Sequence, residues 1–383
     1  MIFLKKVKIL CVGIGGYANV YLESLLNSER DDFEIVGLVD ISMEYCKFKE
    51  ELKNIPFYNT MEDFYKEHNA DLCLITTPIH LHTKQILCAL QNGSNVMCEK
   101  PLSSDSKDAE LIENTAKAAN KFVIIGYQWS YSKAINDLKS DVSAGIYGKP
   151  VFLKTIVLWP RDKAYFKRGS GWAGKLKAED GTPINDSIAN NAAAHYMHNM
   201  LYITGGAHGK SAEVVDVKAD LLRTNDIENF DTAVIEFTLD NGAKGLFVAS
   251  HSTEETLDPR FEYRFTDGLI YYDDTQQEIF ARKNDGTIKN YGNPFKDVNE
   301  KIYEAIDACN NESYVPPCGV LAAAAHVRCI EKVQKFKIFD VNKFMLSQRE
   351  NRIFIKELGN ILFDCYIREK NLSDMEIFGE LVK

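Results

Sequence analysis

The stretch VKILCVGIGGYANVYLESLL, residues 7–26, decides the fold of this chain. It opens with an apolar run, interrupted only by Lys8, that is typical of a buried strand. The pattern GIGGYA, residues 13–18, follows at once, and apolar residues then recur at near-helical spacing. A strand, a glycine turn and a helix in this order are the context in which such a pattern indicates a dinucleotide-binding site.

The residues of this turn have separate roles in that interpretation. Gly13 permits the tight turn, Gly15 lets a pyrophosphate approach the backbone, and the small Ala18 lets the helix pack closely on the strand. The first turn of the helix adds free N–H groups and a partial positive charge. The alternative is a structural glycine turn that binds no ligand. We expect cofactor contacts from Gly13, Ile14, Gly15, Gly16, Tyr17 and Ala18.

The second predicted strand, FEIVGLVD, indicates which dinucleotide binds. It ends at Asp40, close to the spacing of about 20 residues expected for the acidic residue of such a site. A carboxylate there can accept hydrogen bonds from an adenosine ribose and would repel a 2′-phosphate. Neither Ile41 nor Ser42 supplies the arginine that NADP would favour. The sequence therefore predicts NAD in preference to NADP.

Strands and helices continue to alternate along the first third of the chain. The apolar runs in DLCLITTP (71–78), NVMCEKP (95–101) and VIIGYQW (123–129) each end in polar or aromatic residues, and helical patterns lie between them. This alternation predicts a Rossmann domain over residues 1–126, with a doubly wound parallel sheet. Because parallel strands end at one edge, we expect convergence near the glycine turn of Thr76, Thr77, Lys100 and Tyr127.

The set GIGGYA, TTPIHLH and CEKP resembles the family of glucose–fructose oxidoreductase, inositol 2-dehydrogenase and rhizopine-type dehydrogenases (Gfo/Idh/MocA). The EKP tripeptide is fairly specific to that family, and the resemblance covers essentially the whole chain, most clearly its first third. It implies a lysine near the nicotinamide and substrate, here Lys100. It also implies adenine or ribose contacts from the region of Thr76, Thr77, Pro78 and His80. The remaining cofactor-binding candidates are His82, Glu99, Lys100 and Gln128.

After Gly126 the pattern changes to that of an antiparallel sheet. VFLKTIVLWP, residues 151–160, is an extended run, and Asp-Asn-Gly at 240–242 and Asp-Gly at 267–268 indicate hairpins. We expect residues 127–383 to form an α+β domain with a large, mainly antiparallel open sheet. The resemblance implies that this sheet serves substrate binding or oligomer contacts, hence a homo-oligomer, a dimer or tetramer. The tail, residues 340–383, reads as helical and has no assignable chemistry.

A predicted helix over residues 192–204 carries the second catalytic candidate. Family members typically have an aspartate, a histidine four residues later, and a helix that ends in glycine. Counting back from Gly205, His195 takes the histidine place and Asn191 stands where the aspartate is usual. Asn191 cannot supply the negative charge that would raise the basicity of His195. Asp186 and Glu99 are the candidates to compensate for it.

These residues suggest the chemistry of alcohol oxidation, in which a proton leaves the hydroxyl as a hydride leaves the carbon. A histidine suits that proton, because its ordinary pKa lies near neutrality. Lysine starts near a pKa of about 10.4, which burial and the nicotinamide charge would lower. We expect His195 to take the proton while Lys100 hydrogen-bonds the same oxygen, although the two roles can be exchanged. The alternative for Lys100 is a solvated loop lysine.

Aromatic and amide side chains around this pair suit a polyol, because rings cover C–H faces and amides bind hydroxyl groups. For Trp129 the alternative is an aromatic residue that fills the core. Arg161, Tyr165 and Trp172 lie in a glycine-containing loop, and such loops often carry function. The substrate-binding candidates are Lys100, Tyr127, Trp129, Arg161, Trp172, Asn190, Asn191, His195 and Tyr196.

The predicted function is therefore an NAD(P)-dependent oxidoreductase acting on a secondary alcohol of a sugar, sugar derivative or cyclitol. One alternative is a redox-neutral, NAD-dependent sugar-modifying enzyme of the glycosidase or epimerase kind. Another is a non-catalytic dinucleotide-binding sensor, against which the presence of both Lys100 and His195 argues. His80 and His82 with His195 and His198 could form a zinc site. No carboxylate motif accompanies them, so we expect no metal.

The overall composition argues against some classes of binding partner and indicates the cellular compartment. The formal net charge of −10 over 383 residues argues against nucleic-acid and anionic-membrane binding. Nine dispersed cysteines without a CxxC pair suggest a reducing compartment, the cytoplasm. The start, MIFLKKVKILCVGIGG, reads as a strand rather than a signal peptide, because lysines interrupt its short apolar runs. No run is long enough to span a membrane.

Overall fold

A computed structural model describes residues 6–168, 171–296, 298–311 and 313–382 of the chain. The interpretation of residues 1–5 as part of a strand lies outside these residues. Within them, two large sheets organise the molecule, one of six and one of nine strands.

The first sheet is parallel throughout, with strand order β3-β2-β1-β4-β5-β6. Its central strands β1, β4 and β5 are almost fully buried, as expected where helices cover both faces of a parallel sheet. The predicted doubly wound domain is thus confirmed. Its elements are β1 Val7–Val12, α1 Ala18–Leu26, β2 Phe33–Val39, β3 Phe57–Tyr58, α2 Met61–Glu67, β4 Leu72–Ile75, α3 His82–Gln91, β5 Asn95–Cys98, α4 Ser106–Ala119 and β6 Val123–Ile125.

The strand order reverses between β1 and β4, which is where open α/β sheets bind ligands. The register aligns the carboxyl ends of the central strands, since Val12 pairs with both Val39 and Ile75, and Ile75 pairs with Cys98. The glycine turn, Asp40, Thr76 and Glu99 therefore follow at one edge of the sheet.

The second sheet is mixed and mostly antiparallel, in the order β14-β13-β12-β11-β7-β10-β9-β8-β15. Both predicted hairpins are present, between β9 and β10 and between β11 and β12. The β7–β10 and β8–β15 pairs are parallel. The elements are α5 Lys133–Ser143, β7 Pro150–Leu158, α6 Lys163–Phe166, α7 Ala194–Ile203, β8 Val214–Arg223, β9 Thr232–Leu239, β10 Lys244–Ser250, β11 Leu257–Phe265, β12 Gly268–Asp273, β13 Glu278–Lys283, β14 Ile288–Gly292 and β15 Ile338–Asp340.

Two helices from the second half of the chain return to the first sheet. Helix α8 spans Glu300–Ala308 and helix α9 spans Val320–Val333. The backbone N–H of Ile125, in β6, donates to the carbonyl oxygen of Cys318 at 2.9 Å. One hydrophobic core runs from the first sheet through these helices to the inner face of the second. Residues far beyond position 126 thus reach the edge where the glycine turn lies.

The prediction of a helical tail is wrong in part. Residues 340–382 contain the hairpin of β16 Leu346–Arg349 and β17 Arg352–Ile355 as well as helices α10 Leu358–Arg368 and α11 Phe378–Leu381. Glu350, at the turn between these strands, has a positive φ of 53°. Helix α10 buries Leu358 and Leu362 against Val248 and neighbouring residues of the outer sheet face. The tail therefore covers part of the sheet that was expected to be open.

The longest helices in the described residues are α4 and α9, with 14 residues each. No helix in this part of the chain is both long enough and apolar enough to cross a bilayer.

Candidate active site

The glycine turn packs so closely that side chains are excluded from it. Gly13 has φ of +79°, and a Cβ there would lie 3.0 Å from the methyl group of Thr77. The hydroxyl of Thr76 donates to the carbonyl oxygen of Gly13 at 2.7 Å and ties the ends of β1 and β4 together. A Cβ on Gly15 would lie 2.7 Å from the Cβ of Tyr45, in the short turn after β2. Tyr45 was not recognised from the sequence.

The turn leaves room for a dinucleotide on its open side. No side chain caps the first turn of α1 by a hydrogen bond, and a Cβ on Gly16 would meet nothing within 4 Å. The carboxylate of Asp40 accepts the backbone N–H groups of Ile14 at 2.8 Å and Ile41 at 2.6 Å, which fixes it at the lip of the turn. An uncapped helix start suits a pyrophosphate, and a fixed carboxylate suits a ribose diol. The residues present fit NAD.

The two histidines after β4 are placed differently. The ring nitrogens of His82 lie 2.8 Å from the carbonyl oxygen of Pro101 and 2.9 Å from that of Thr77, and the side chain is buried. It therefore holds the loops after β4 and β5 together, and its predicted cofactor contact is not supported by this geometry. His80 is half-buried and its Nδ1 has no hydrogen-bond partner in the described structure. Pro78 begins the turn that carries His80.

The carboxylate of Glu99 is bound by neighbouring residues of the protein itself. Its Oε1 lies 2.6 Å from Nζ of Lys301, a fully buried lysine on α8, and also accepts a hydrogen bond from the hydroxyl of Tyr21. Burial raises the pKa of Glu99, but the charges of Lys301 and Lys100 outweigh it and hold the pKa below its usual value. The backbone N–H of Lys100 donates to the other oxygen at 3.2 Å. Glu99 therefore positions Lys100 instead of meeting the cofactor as predicted.

Sequence reasoning missed Lys301, which lies 202 positions from Glu99. Its Nζ also donates to the carbonyl oxygen of Gly126 at 3.1 Å, so it joins the ends of β5 and β6. Its spacing in the sequence could have revealed it, because Lys301 lies on the same buried face of α8 as Ala305 and Ala308. A lysine on an apolar helix face indicates a buried partner.

Lys100 and Asn191 are brought together as expected. Nζ of Lys100 donates to the backbone oxygen of Asn191 at 2.8 Å and to its Oδ1 at 3.0 Å. The amide of Asn191 donates to Asp186 at 2.8 Å, and the N–H of Gly174 donates to the other carboxylate oxygen at 2.5 Å. Asp186 thus supplies the missing carboxylate through Asn191, and it acts on Lys100.

The two catalytic candidates, Lys100 and His195, differ in their state of protonation at neutral pH. Burial lowers the pKa of Lys100 to about 8; Glu99 and Asp186 oppose this shift, while Lys301 adds to it. Burial, and then the charge of Lys100, hold the pKa of His195 well below its usual value. At neutral pH the imidazole is therefore uncharged, and Lys100 is close to its own titration point.

His195 and His198 diverge from one helix. The ring of His195 contacts that of Tyr127 edge-on, with ring centres 5.9 Å apart, and its Nδ1 has no hydrogen-bond partner among the described residues. The ring of His198 instead stacks on that of Tyr127, with ring centres 3.9 Å apart, and its Nε2 lies 3.4 Å from Sγ of Cys318. Among the described residues, no three His, Cys, Asp or Glu side chains are grouped as a metal site would require.

Several predicted substrate contacts prove to be a packed wall. Tyr127 bonds to His326 through its hydroxyl at 2.9 Å, and Trp129 packs against Tyr196 with ring centres 4.9 Å apart. Asn190 donates to the backbone oxygen of Asn185 at 3.1 Å. All four predicted residues are at least 98% buried, so we correct their role from direct contact to support. The core-filling alternative for Trp129 is the one that the structure shows. The half-buried substrate candidates that remain are Lys100, Arg161, Trp172, Asn191 and His195, and the half-buried Gln128 remains a cofactor candidate.

Residues 7–127 match the family model of the GFO_IDH_MocA oxidoreductases, described as an NAD-binding Rossmann fold. The myo-inositol 2-dehydrogenase of Thermotoga maritima is 24% identical over 272 residues, 70% of this chain and 75% of that protein. The scyllo-inositol 2-dehydrogenase (NAD(+)) of Bacillus subtilis is 26% identical over 217 residues, 56% of this chain and 57% of that protein. The match therefore spans little more than half of the second relative.

Solved structures share the fold over most of the chain. An oxidoreductase of Thermotoga maritima superposes with a TM-score of 0.68 and 21% identity, covering 86% of this chain and 95% of that one. The WlbA dehydrogenase of Bordetella pertussis, in complex with NADH and UDP-GlcNAcA, gives 0.69 and 18%, covering 86% and 96%. Both share the α/β fold of this chain.

Proposed function

We propose that this chain, which belongs to the Gfo/Idh/MocA family of oxidoreductases with an NAD-binding Rossmann fold, transfers a hydride between NAD and a secondary alcohol of a sugar, sugar derivative or cyclitol. The observation that carries the proposal is the placement of Lys100, held by Asn191 and Asp186, at the sheet edge that also carries the glycine turn. The named relatives are dehydrogenases of cyclitols, which supports the substrate class.

The proton roles are exchanged relative to our first expectation. NAD, when bound, supplies the hydride acceptor. Lys100, with its pKa lowered to about 8, accepts the hydroxyl proton, because a base works best when its pKa lies near the operating pH. His195 is too weak a base in its buried position, so its neutral imidazole orients the hydroxyl instead. Asn191 and Asp186 keep the amine of Lys100 aimed at the site.

Asp40 supports NAD over NADP in this proposal. Its carboxylate is fixed by two backbone N–H groups, so it cannot turn away from a 2′-phosphate without breaking both hydrogen bonds. No specific observation favours the redox-neutral or the sensor alternative.

We also propose a cytoplasmic homo-oligomer. The support for the compartment is the set of cysteines, all unpaired in the described structure and most of them buried. The support for association is the outer sheet face beyond α10, where Phe152, Tyr271 and Phe280 remain half-buried. Residues 1–126 and 127–383 then act as cofactor and substrate units, with α8 and α9 joining them.

The test is a titration of the purified chain with NAD and NADP, followed by a panel of sugars and cyclitols. Tighter binding of NAD and the appearance of NADH with a secondary alcohol are expected. Transformation of a sugar without accumulation of NADH would favour the redox-neutral alternative. Binding of NAD without any turnover would favour the sensor.

A further inference from the structure

Two arginines follow β7, and neither has an anionic partner within ion-pair distance in the described part of the chain. Arg161 and Arg168 are both half-buried. Nε of Arg161 is buried without a hydrogen-bond partner, and Arg168 donates to the backbone oxygen of Tyr165 at 2.6 Å. Buried guanidinium N–H groups normally have acceptors. The arginines that do pair with carboxylates are Arg30, Arg223, Arg260, Arg264, Arg328, Arg349 and Arg368.

Aromatic rings orient both guanidinium groups. Cζ of Arg168 lies 3.6 Å from the ring centre of Tyr165, and Cζ of Arg161 lies 4.9 Å from the same centre. Trp172 lies 4.8 Å from Arg168, and Trp159 lies 5.8 Å from Arg161. Packing on a ring fixes the plane of a guanidinium and leaves its edge free to bind two oxygens of one anion.

The ring that both arginines contact lies beside the catalytic candidates. Tyr165 and Asp186 line one small cavity, and Asp186 is linked to Lys100 through Asn191. The charge of Arg168 contributes, after burial, to the lowered pKa of Lys100, and it opposes the burial that raises the pKa of Asp186. Both arginines act on the pKa of Tyr165, the ring that lies against both of them. The pair therefore lies on the Lys100 side of the site.

Nearby carboxylates are occupied by neutral donors. Asp186 accepts from Asn191 and Gly174, Asp162 accepts the N–H of Tyr165 at 2.9 Å, and Asp258 accepts the indole N–H of Trp159 at 3.0 Å. These carboxylates therefore form no direct ion pair with Arg161 or Arg168, and both guanidinium groups keep hydrogen-bond donors for a bound anion.

We propose that the substrate carries an anionic group, a carboxylate or a phosphate, which Arg161 and Arg168 bind while a hydroxyl of the same molecule lies at Lys100 and His195. This inference rests on the proposed function and narrows it from sugars and cyclitols in general to sugar acids or sugar phosphates. Bidentate binding of the anion fixes the distance from the charged group to the reacting carbon.

The experiment measures binding to the NAD-loaded protein by calorimetry. Glucose is compared with glucuronate and glucose 6-phosphate, and myo-inositol with an inositol phosphate. We expect at least one anionic member to bind about tenfold or more tightly than its neutral parent, since hydrogen bonds between charged groups are stronger than those between neutral groups. The preferred anion, carboxylate or phosphate, identifies the group. The advantage disappears in Arg161→Gln and Arg168→Gln, whereas Arg282→Gln, an exposed arginine on β13, keeps it.

Equal binding of neutral and anionic members, or no binding by any member, overturns the inference. An anion preference that survives in both arginine variants also overturns it. Failure of the proposed function would give a different result: the protein would not bind NAD, or no compound that binds would transfer a hydride.

Discussion

The two sides of the active site are built in different ways. The cofactor side consists of strand ends within residues 13–101, and its key contacts are made by backbone atoms around Gly13 and Asp40. The substrate side is assembled from segments far apart in sequence: Lys100 meets Asn191, and Glu99 meets Lys301. The backbone contacts of the cofactor side depend on a short sequence pattern, whereas the side-chain contacts of the substrate side depend on the whole fold.

The largest effect is expected from removal of the Lys100 amine, which contacts from distant segments of the chain hold in place. We expect Lys100→Met to lower kcat/KM by about 10³–10⁴-fold, because a positioned base contributes up to that much. NAD affinity should change little, since the glycine turn is intact. Rates and NAD titrations on the variant measure both. Near-normal turnover would remove Lys100 from the mechanism.

The buried ion pair tests how far the substrate side depends on distant residues. Lys301→Met leaves the carboxylate of Glu99 buried without its cation, and we expect the free energy of unfolding to fall by about 3–5 kcal/mol. Chemical denaturation measures the change.

The matched control is the double variant Glu99→Gln with Lys301→Met, which removes both charges. It should recover much of the loss, because a neutral pair carries no desolvated charge. A double variant that is no more stable than Lys301→Met would show that shape rather than charge is what the pair contributes.

The pH dependence sharpens the assignment of the base. Lys100 must be unprotonated to accept a proton, so alcohol oxidation should be lost as the pH falls below the lysine pKa of about 8. The expected decline is about tenfold per pH unit below that value. Profiles of kcat/KM measure it. If His195 were the base, the decline would lie well below pH 6.5, where its pKa has been lowered.

The smallest expected effect is on the cofactor side. Asp40→Ala removes the ribose acceptor and should weaken NAD binding about tenfold or more, in line with roughly 1.5–3 kcal/mol for hydrogen bonds to a charged group. The ratio of NADP affinity to NAD affinity should rise, because the negative charge that repels the 2′-phosphate is gone. Titrations with both dinucleotides measure the ratio. An unchanged ratio would show that Asp40 does not select the cofactor.

The sequence predicted the first sheet well because each strand, turn and helix there carries its own local pattern. It also named Lys100 and Asn191 as residues of one site, through a spacing and a resemblance, and these two residues are in contact. It did not predict the partner of Glu99, since no local pattern links β5 to α8. Trp129 and Tyr196 were assigned to the substrate because an aromatic residue near a strand end looks the same whether it lines a cleft or fills the core.

The tail shows a related limit. Its apolar residues suggested a helix, but they pack on the outer face of the second sheet partly as strands, because tertiary burial overrides weak local preference. The same coverage by α10 leaves less of the sheet available for oligomer contacts than its strand count suggested.

The most direct test of the account is a single-turnover measurement on NAD-loaded protein. Wild-type chain and the Lys100→Met variant are mixed with the alcohol that binds most tightly, and the absorbance of NADH is followed. The account predicts a stoichiometric rise for the wild type and a rate about 10³-fold lower for the variant, with equal NAD loading. Equal rates in the two proteins, or no NADH from either, would contradict it.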